Sequence, residues 1–324
     1  MQMLFVGDVM LGRLVNDFLK THPSDYPWGD TLSIFRSADV RVCNLECVIS
    51  DRGTPWSITP KAFHYRTDAK NVAVLQAGSL DVVSLANNHI LDFEASALAD
   101  CLETLDRGEI KHAGAGNDIV EATRRATLTV QGTTIGFIAF TDNEPDWEAT
   151  LDRPGVFYVP VEVNNERAKR LFNLVQETKK EVDLLLVSAH WGPNWGYRPQ
   201  PEHIPFSHAL VEAGADVIFG HSCHVFQGVE LYRGRPILYS CGDFVDDYAV
   251  DEVERNDQSF IFLVTIEGAR LTGLELIPTV IRNFQARLAG GREAREMAEK
   301  MQALSMDFGA KLKWDVSRGR LVGG

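Results

Sequence analysis

Eight residues have the types and setting for metal chemistry. Asp8, Glu46, Asn88, His89, His190, His221, His224 and Asp243 each stand at or just beyond the end of a short apolar run. Asp8 follows residues 4–6, Glu46 follows 40–43, and Asn87-Asn88-His89 follows 82–85, with Asp92 just beyond. His190 follows 184–188, His221 and His224 follow 217–219, and Asp243 follows 238–240. Carboxylate, amide oxygen and imidazole are the ligands that Zn²⁺, Mn²⁺ or Fe accept. Two such ions held close together polarise a scissile group and lower the pKa of bound water. Alone, each piece has an ordinary reading: Asp8 or Asp92 as a helix cap, Glu46 as a solvated loop acid, Asn87-Asn88 as a turn, His190 as a core histidine. Their conjunction at strand ends is what points to a site.

The elements that must position these residues are legible. Apolar runs at 4–6, 40–43, 80–85, 184–188, 217–219 and 237–240 suit buried strands of a mixed or parallel sheet. Helices are expected where Leu98, Cys101, Leu102 and Leu105 recur at helical spacing, as do Ala168, Leu171, Phe172 and Val175 behind an Asn164 or Asn165 cap. Phe206, Ala209, Leu210 and Ala213 repeat the spacing before Gly214. Residues 126–140 and 260–276 read as hairpins pivoting on Gln131-Gly132 and Glu267-Gly268. In open α/β sheets a ligand site lies outside the carboxyl ends of the strands, which is where the eight residues fall. The fold class is therefore α/β, with two sheets face to face and helices outside.

The chain has 324 residues, of which 45% are hydrophobic and 24% charged, so disordered, collagenous and coiled-coil classes are excluded. Thirty-two Lys+Arg against 45 Asp+Glu give −13, which excludes a nucleic-acid groove as the main surface. An anion would need a local positive centre. Cys43, Cys47, Cys101, Cys223 and Cys241 form no CxxC pair and read as buried free thiols in a reducing compartment. With no leader pattern and no long apolar stretch, the expectation is a cytoplasmic protein that does not engage a membrane.

The ordered motifs Gly7-Asp-Val-Met-Leu-Gly-Arg13, Asn44-Leu-Glu46, Asp81-Val-Val-Ser-Leu-Ala-Asn-Asn-His89, His190-Trp-Gly192, Gly214-Ala-Asp-Val-Ile-Phe-Gly-His221-x-x-His224 and Tyr239-Ser-Cys-Gly-Asp-Phe244 resemble the CapA-like proteins. That family is named for poly-γ-glutamate capsule synthesis and is related to calcineurin-like metallophosphoesterases. The resemblance implies a four-layer αββα sandwich and a dinuclear centre of two divalent ions (Mn, Zn or Fe). It implies Asp8 and His224 as ligands of one metal, Glu46 as the bridging carboxylate, Asn88, His190 and His221 as ligands of the second, and His89 as general acid. Three positions matter to that assignment: Met10 stands where phosphoesterases of this fold carry a histidine, Glu46 where they carry aspartate, and Asp243 where the family carries asparagine, making Asp243 an additional ligand or base. Residues 1–283 are expected to form the catalytic domain, and 284–324 a helical tail with Met297, Met301, Leu304 and Phe308 on its packed face.

On the substrate side, Arg13 and Arg66 are candidate clamps for a carboxylate or phosphate, and Trp191, Trp195 and Arg198 candidate pocket walls. The acid-rich residues 243–257 read as a solvated loop. The functions expected are a metal-dependent hydrolase acting on an amide or phosphoester of a small acidic or peptide-like substrate, or an accessory protein of poly-γ-glutamate assembly. A metal-free acid/base enzyme using Asp8, Glu46 and His89 is a third reading.

Overall fold

The computed structural model describes residues 1–268 and 270–323. Its first sheet runs in the order Lys313–Asp315, Arg320–Gly323, Arg270–Arg282, Gln258–Glu267, Gln2–Val9, Val40–Leu45, Val82–Ser84, Lys111–Ala113. Asp243–Val245 adds to Gln2–Val9 and Gln285–Leu288 to Arg270–Arg282. The second sheet runs Val229–Tyr232, Arg235–Leu238, Val217–His221, Leu184–His190, Thr133–Thr141, Ala126–Val130. Its four inner strands are parallel and both edges are antiparallel.

Alternation along the strands builds the layers. Met3, Phe5, Val40, Val42 and Val82 of the first sheet share one core with Phe137, Leu184, Leu186, Val217 and Phe219 of the second. Leu4, Val6, Cys43 and Val83 face the other way, onto the helix Glu94–Arg107 through Leu98 and Cys101. Leu185, Val187 and Ile218 turn outward onto Glu166–Lys179 and His203–Ala213 through Leu171, Val175 and Phe206. The result is the four-layer αββα sandwich expected. Both faces of each sheet are covered, which is why the strands read as continuous apolar runs.

The Asn165 side chain accepts from the Arg167 N–H and caps its helix. Both expected hairpins are present, and the first turns through Gln131 and Gly132 at φ 52° and 79°. Residues 284–324 hold the helix Gly291–Met306 and also three strands, Gln285–Leu288, Lys313–Asp315 and Arg320–Gly323, that extend the first sheet. All five cysteines are free and buried. Among the described residues, no helix is long and apolar enough to cross a membrane.

Candidate metal centre

Register places the polar residues side by side. Asp8 pairs with Asn44 on one side and Asp243 on the other, and His190 pairs with His221. Two glycines allow the closest of these approaches. The Asp8 N–H donates to Gly242 O at 2.9 Å, and a Cβ on Gly7 would lie 1.7 Å from that same oxygen. Gly242 itself sits at φ 67°, which favours glycine. Two Gly-Asp pairs thus bring two carboxylates together at the end of the first sheet, facing the histidines of the second.

Asp8, Glu46, His89, His190, His221 and Asp243 are all buried, and His224 nearly so. One amide links the acids: Asn44 Nδ2 donates to Asp8 Oδ1 at 2.7 Å and to Glu46 Oε2. Asn87 Nδ2 in turn donates to Asn44 Oδ1 at 3.0 Å and fixes its orientation. Among the imidazoles, His190 Nε2 lies 3.0 Å from Asn88 Oδ1, His190 Nδ1 lies 2.8 Å from His221 Nδ1, and His221 Nε2 lies 2.7 Å from Ser188 Oγ. Because Asn88 Oδ1 only accepts, this chain assigns protons from Ser188 to His221, from His221 Nδ1 to His190 Nδ1, and from His190 Nε2 to Asn88.

Two groups of ligand atoms lie within 4.8 Å of one another: Asp8 with His190 and His221, and Asp8 with His224 and Asp243. Asp8 is common to both. Glu46, which the family resemblance implied as the bridge, lies 3.7 Å from His190 Nδ1 and 3.8 Å from His89 Nε2. Asn88 reaches the site through its amide oxygen on His190. Met10 is buried, and its sulfur accepts from the Gly12 N–H at 3.0 Å.

Burial sets the electrostatics. It pushes the Asp8 carboxyl up to about 6, with His224 opposing, and pushes Glu46 and Asp243 well up, with Asp8 adding to each. It pushes His221 down to about 3, His190 well below its usual range, and His224 down. Such a group of acids and neutral imidazoles is costly in charged form unless a cation sits among them. Asp8 Oδ2 and Asp243 Oδ2 are buried with no hydrogen-bond partner. The donor set therefore fits divalent metal.

His89 closes the centre toward solvent. Its Nδ1 lies 2.6 Å from Asp92 Oδ2, its ring stacks on Tyr65 at 3.9 Å, and its Nε2 faces Glu46. Burial lowers its pKa, while Asp92 raises it. Asp92 was expected as a helix cap; the cap is Phe93, and Asp92 instead accepts from His89 and from the Tyr65 N–H at 2.6 Å. Beyond His89 lies a cavity of about 480 Å³ lined by Arg13, Lys61, Phe63, Tyr65, Trp195, His224 and Tyr248 among others.

The substrate-side expectations divide. Arg13 and Trp195 line the cavity. Arg66 does not: its guanidinium covers the Phe93 ring at 4.3 Å and donates to Arg52 O and Gly53 O, while neighbouring Tyr65 takes the cavity wall. Trp191 comes directly after the strand Leu184–His190; it is buried, stacks on His203 at 4.7 Å and donates to Tyr239 O at 2.9 Å. Arg198 is exposed and pairs with Asp307 at 2.9 Å. The acid run 243–257 is partly interior. Asp243 and Asp246 are buried, and Asp247, its side chain fully covered, pairs with Arg13 at 3.2 Å. Sequence reasoning passed over Lys61, whose Nζ donates to Asn88 O at 2.6 Å and Glu144 Oε1 at 3.0 Å and lies 3.4 Å from Asp92 Oδ1.

Residues 2–248 match the bacterial capsule synthesis protein PGA_cap family. The chain belongs to that family. It is 33% identical over 320 residues to a probable polyglutamine synthesis accessory protein of Mycobacterium tuberculosis, covering 94% of this chain and 83% of that one. It is 30% identical over 245 residues to the PGA biosynthesis protein CapA of Bacillus subtilis, covering 75% of this chain and 62% of that protein. Among solved structures, a hypothetical protein from Thermus thermophilus superposes with a TM-score of 0.52 at 16% identity, over 86% of this chain and 98% of that one. That last likeness is one of fold.

Proposed function

We propose that this PGA_cap family chain is a metal-dependent hydrolase with a dinuclear site, acting on an amide or phosphoester bond of a small acidic or peptide-like substrate. The observation that carries the reading is the buried set of acids and imidazoles where both sheets' strands end, opening through His89 into a cavity with Arg13 on its wall. Asp8, Glu46, Asn88, His190, His221 and His224 would hold the ions, with Asp243 as the additional carboxylate. Divalent ions bound there supply Lewis acidity and a hydroxide nucleophile near neutral pH. His89, held by Asp92, presents Nε2 to the reacting centre and moves the proton of the leaving group. Arg13, between the rings of Phe63 and Tyr65 at 5.8 and 5.6 Å, orients an anionic substrate group.

The test is metal analysis of the purified protein together with a hydrolysis panel of phosphoesters and γ-glutamyl and other amides. His190→Ala and Glu46→Gln are expected to lose metal while the circular dichroism spectrum is kept. Less than about 0.2 metal per chain, with no gain in Tm on adding Mn²⁺ or Zn²⁺, would falsify the reading. A second reading, an accessory protein of polyglutamate synthesis, is favoured by the names of the relatives. It predicts saturable binding of γ-glutamyl oligomers to the metal-loaded protein with no turnover anywhere in the panel.

A further inference from the structure

We propose that Asp243 is a direct ligand, and that it divides the centre into two unlike pockets: a carboxylate-rich one of Asp8, Asp243 and His224 for a hard ion such as Mn²⁺, and an imidazole-rich one of Asp8, His190 and His221 for Zn²⁺. The inference rests on the metal-dependent reading above and deepens it.

Four observations carry it. The ligand atoms of each group lie within 4.8 Å of one another, and Asp8 belongs to both. Asp243 is the parallel-sheet partner of Asp8, held there by the contact of Gly7 with Gly242 O, so the two carboxylates stand on neighbouring strands at the same height. Each has an oxygen, Oδ2, that is buried and has no partner. Two buried acids placed together at this cost call for a cation between them. Finally, Met10 offers no alternative ligand: a thioether suits soft ions, and this one already accepts from the Gly12 N–H.

The donors then sort by hardness. Two carboxylates and one imidazole suit Mn²⁺, whereas two imidazoles and one carboxylate suit Zn²⁺. Asp246, buried beside Asp243 and accepting from the Tyr248 N–H at 2.8 Å, backs the hard pocket as outer-shell carboxylates do. His224 reaches the same pocket from φ 54°, its Nδ1 2.9 Å from Asp243 Oδ1.

The test uses the full chain, stripped with a chelator, then dialysed against Mn²⁺ in large excess over Zn²⁺, since Zn²⁺ binds the more tightly to most nitrogen and oxygen donor sets, and analysed by mass spectrometry and Mn²⁺ paramagnetic resonance. The wild type is expected to hold about one of each ion. Asp243→Asn is expected to bind Mn²⁺ at least about tenfold more weakly and to keep its Zn²⁺. His224→Gln, at a partly exposed position, is expected to do the same and serves if Asp243→Asn fails to fold. Two Zn²⁺ and no Mn²⁺ in the wild type, or a folded variant that keeps both ions at wild-type affinity, overturns the division while leaving the hydrolase reading intact. No metal in the wild type overturns both.

Discussion

Replacing Gly7 by alanine tests whether two glycines set the spacing of the centre. The added Cβ would lie 1.7 Å from Gly242 O, 2.8 Å from Gly242 C and 2.9 Å from Cys241 C, all backbone atoms that no rotamer change can move aside. Reaching the 3.0 Å that real Cβ contacts respect requires the strands to part by about 1.3 Å. That displacement stretches the 2.9 Å hydrogen bond from the Asp8 N–H to Gly242 O, worth about 1 kcal/mol, and adds an overpacking cost of about 1–3 kcal/mol. The expected loss is about 2–4 kcal/mol. With a melting entropy of ~2.1 cal/mol/K per residue over this length, Tm should fall by roughly 3–6 °C. The effect on the site is larger, because 1.3 Å far exceeds the ~0.2 Å within which metal–ligand distances hold. Differential scanning calorimetry and metal titration of G7A should therefore show lowered Tm and weakened binding together. Gly290→Ala is the control, since nothing lies within 4 Å of its added Cβ and its φ is −137°; as the N-cap of Gly291–Met306 it should lower Tm by less than about 2 °C and leave metal binding unchanged. A G7A protein with wild-type Tm and two tightly held ions would refute the spacing argument.

Two further outcomes follow from the same geometry. Asp92→Asn removes the charge that orients His89 and raises its pKa. Turnover should drop about 10²- to 10⁴-fold with metal content kept, and the His89 ring signals in NMR should titrate at lower pH; an unmoved titration would contradict the dyad. The metal-free protein should lose stability as pH rises above about 6.5. Asp8 at about 6, with Glu46, Asp243 and Asp246 also pushed well up by burial, keep protons in the native state that the unfolded chain releases above its ordinary carboxyl pKa, so each stabilises less as pH climbs. His221 at about 3, with His190 and His224 lowered, works in the opposite direction, losing stability as pH falls below the ordinary 6.5. The two groups oppose each other between about 4 and 6, where Asp8 gives up its native-state proton; above 6.5 the histidines change nothing further, and Glu46, Asp243 and Asp246 set the direction. Tm in chelator should decline from pH 6.5 to 8, and the gain on adding metal should grow over that interval. A flat profile in chelator would count against the burial assignment.

The candidate ligands were legible because a polar residue ending a buried apolar run has few other positions to occupy, and Asp8, His190 and His221 all sit at such an end. The sandwich was legible in the same runs, since strands covered on both faces keep no polar face. Trp191 and Arg66 went astray by one residue each: His190 and Tyr65 take the centre and the cavity wall, while Trp191, just past its strand, packs on His203 and Arg66, first in its strand, covers Phe93. Asp92 was obscured because acids before helices usually cap them, and here tertiary contact with His89 takes that carboxylate. Lys61 lies on an irregular loop with no periodicity, so nothing local places its ammonium beside Asn88. In the tail, Lys313–Asp315 and Arg320–Gly323 are three and four residues long, too short to carry an alternation that can be read.

The acids of the centre come from the first sheet and the imidazoles His190, His221 and His224 from the second. Neither metal pocket can be assembled by a chain whose sheets have formed but not docked, since each joins Asp8 to a histidine from the other side. Residue 8 must also wait for residue 243, more than two hundred positions later, to take its place on the neighbouring strand. Cation capture would then be a clock for folding, starting only when the two halves of the sandwich close. In a stopped-flow refolding experiment, uptake of Zn²⁺ should trail the appearance of β-structure and coincide with burial of Phe5 against Phe219 at the sheet interface.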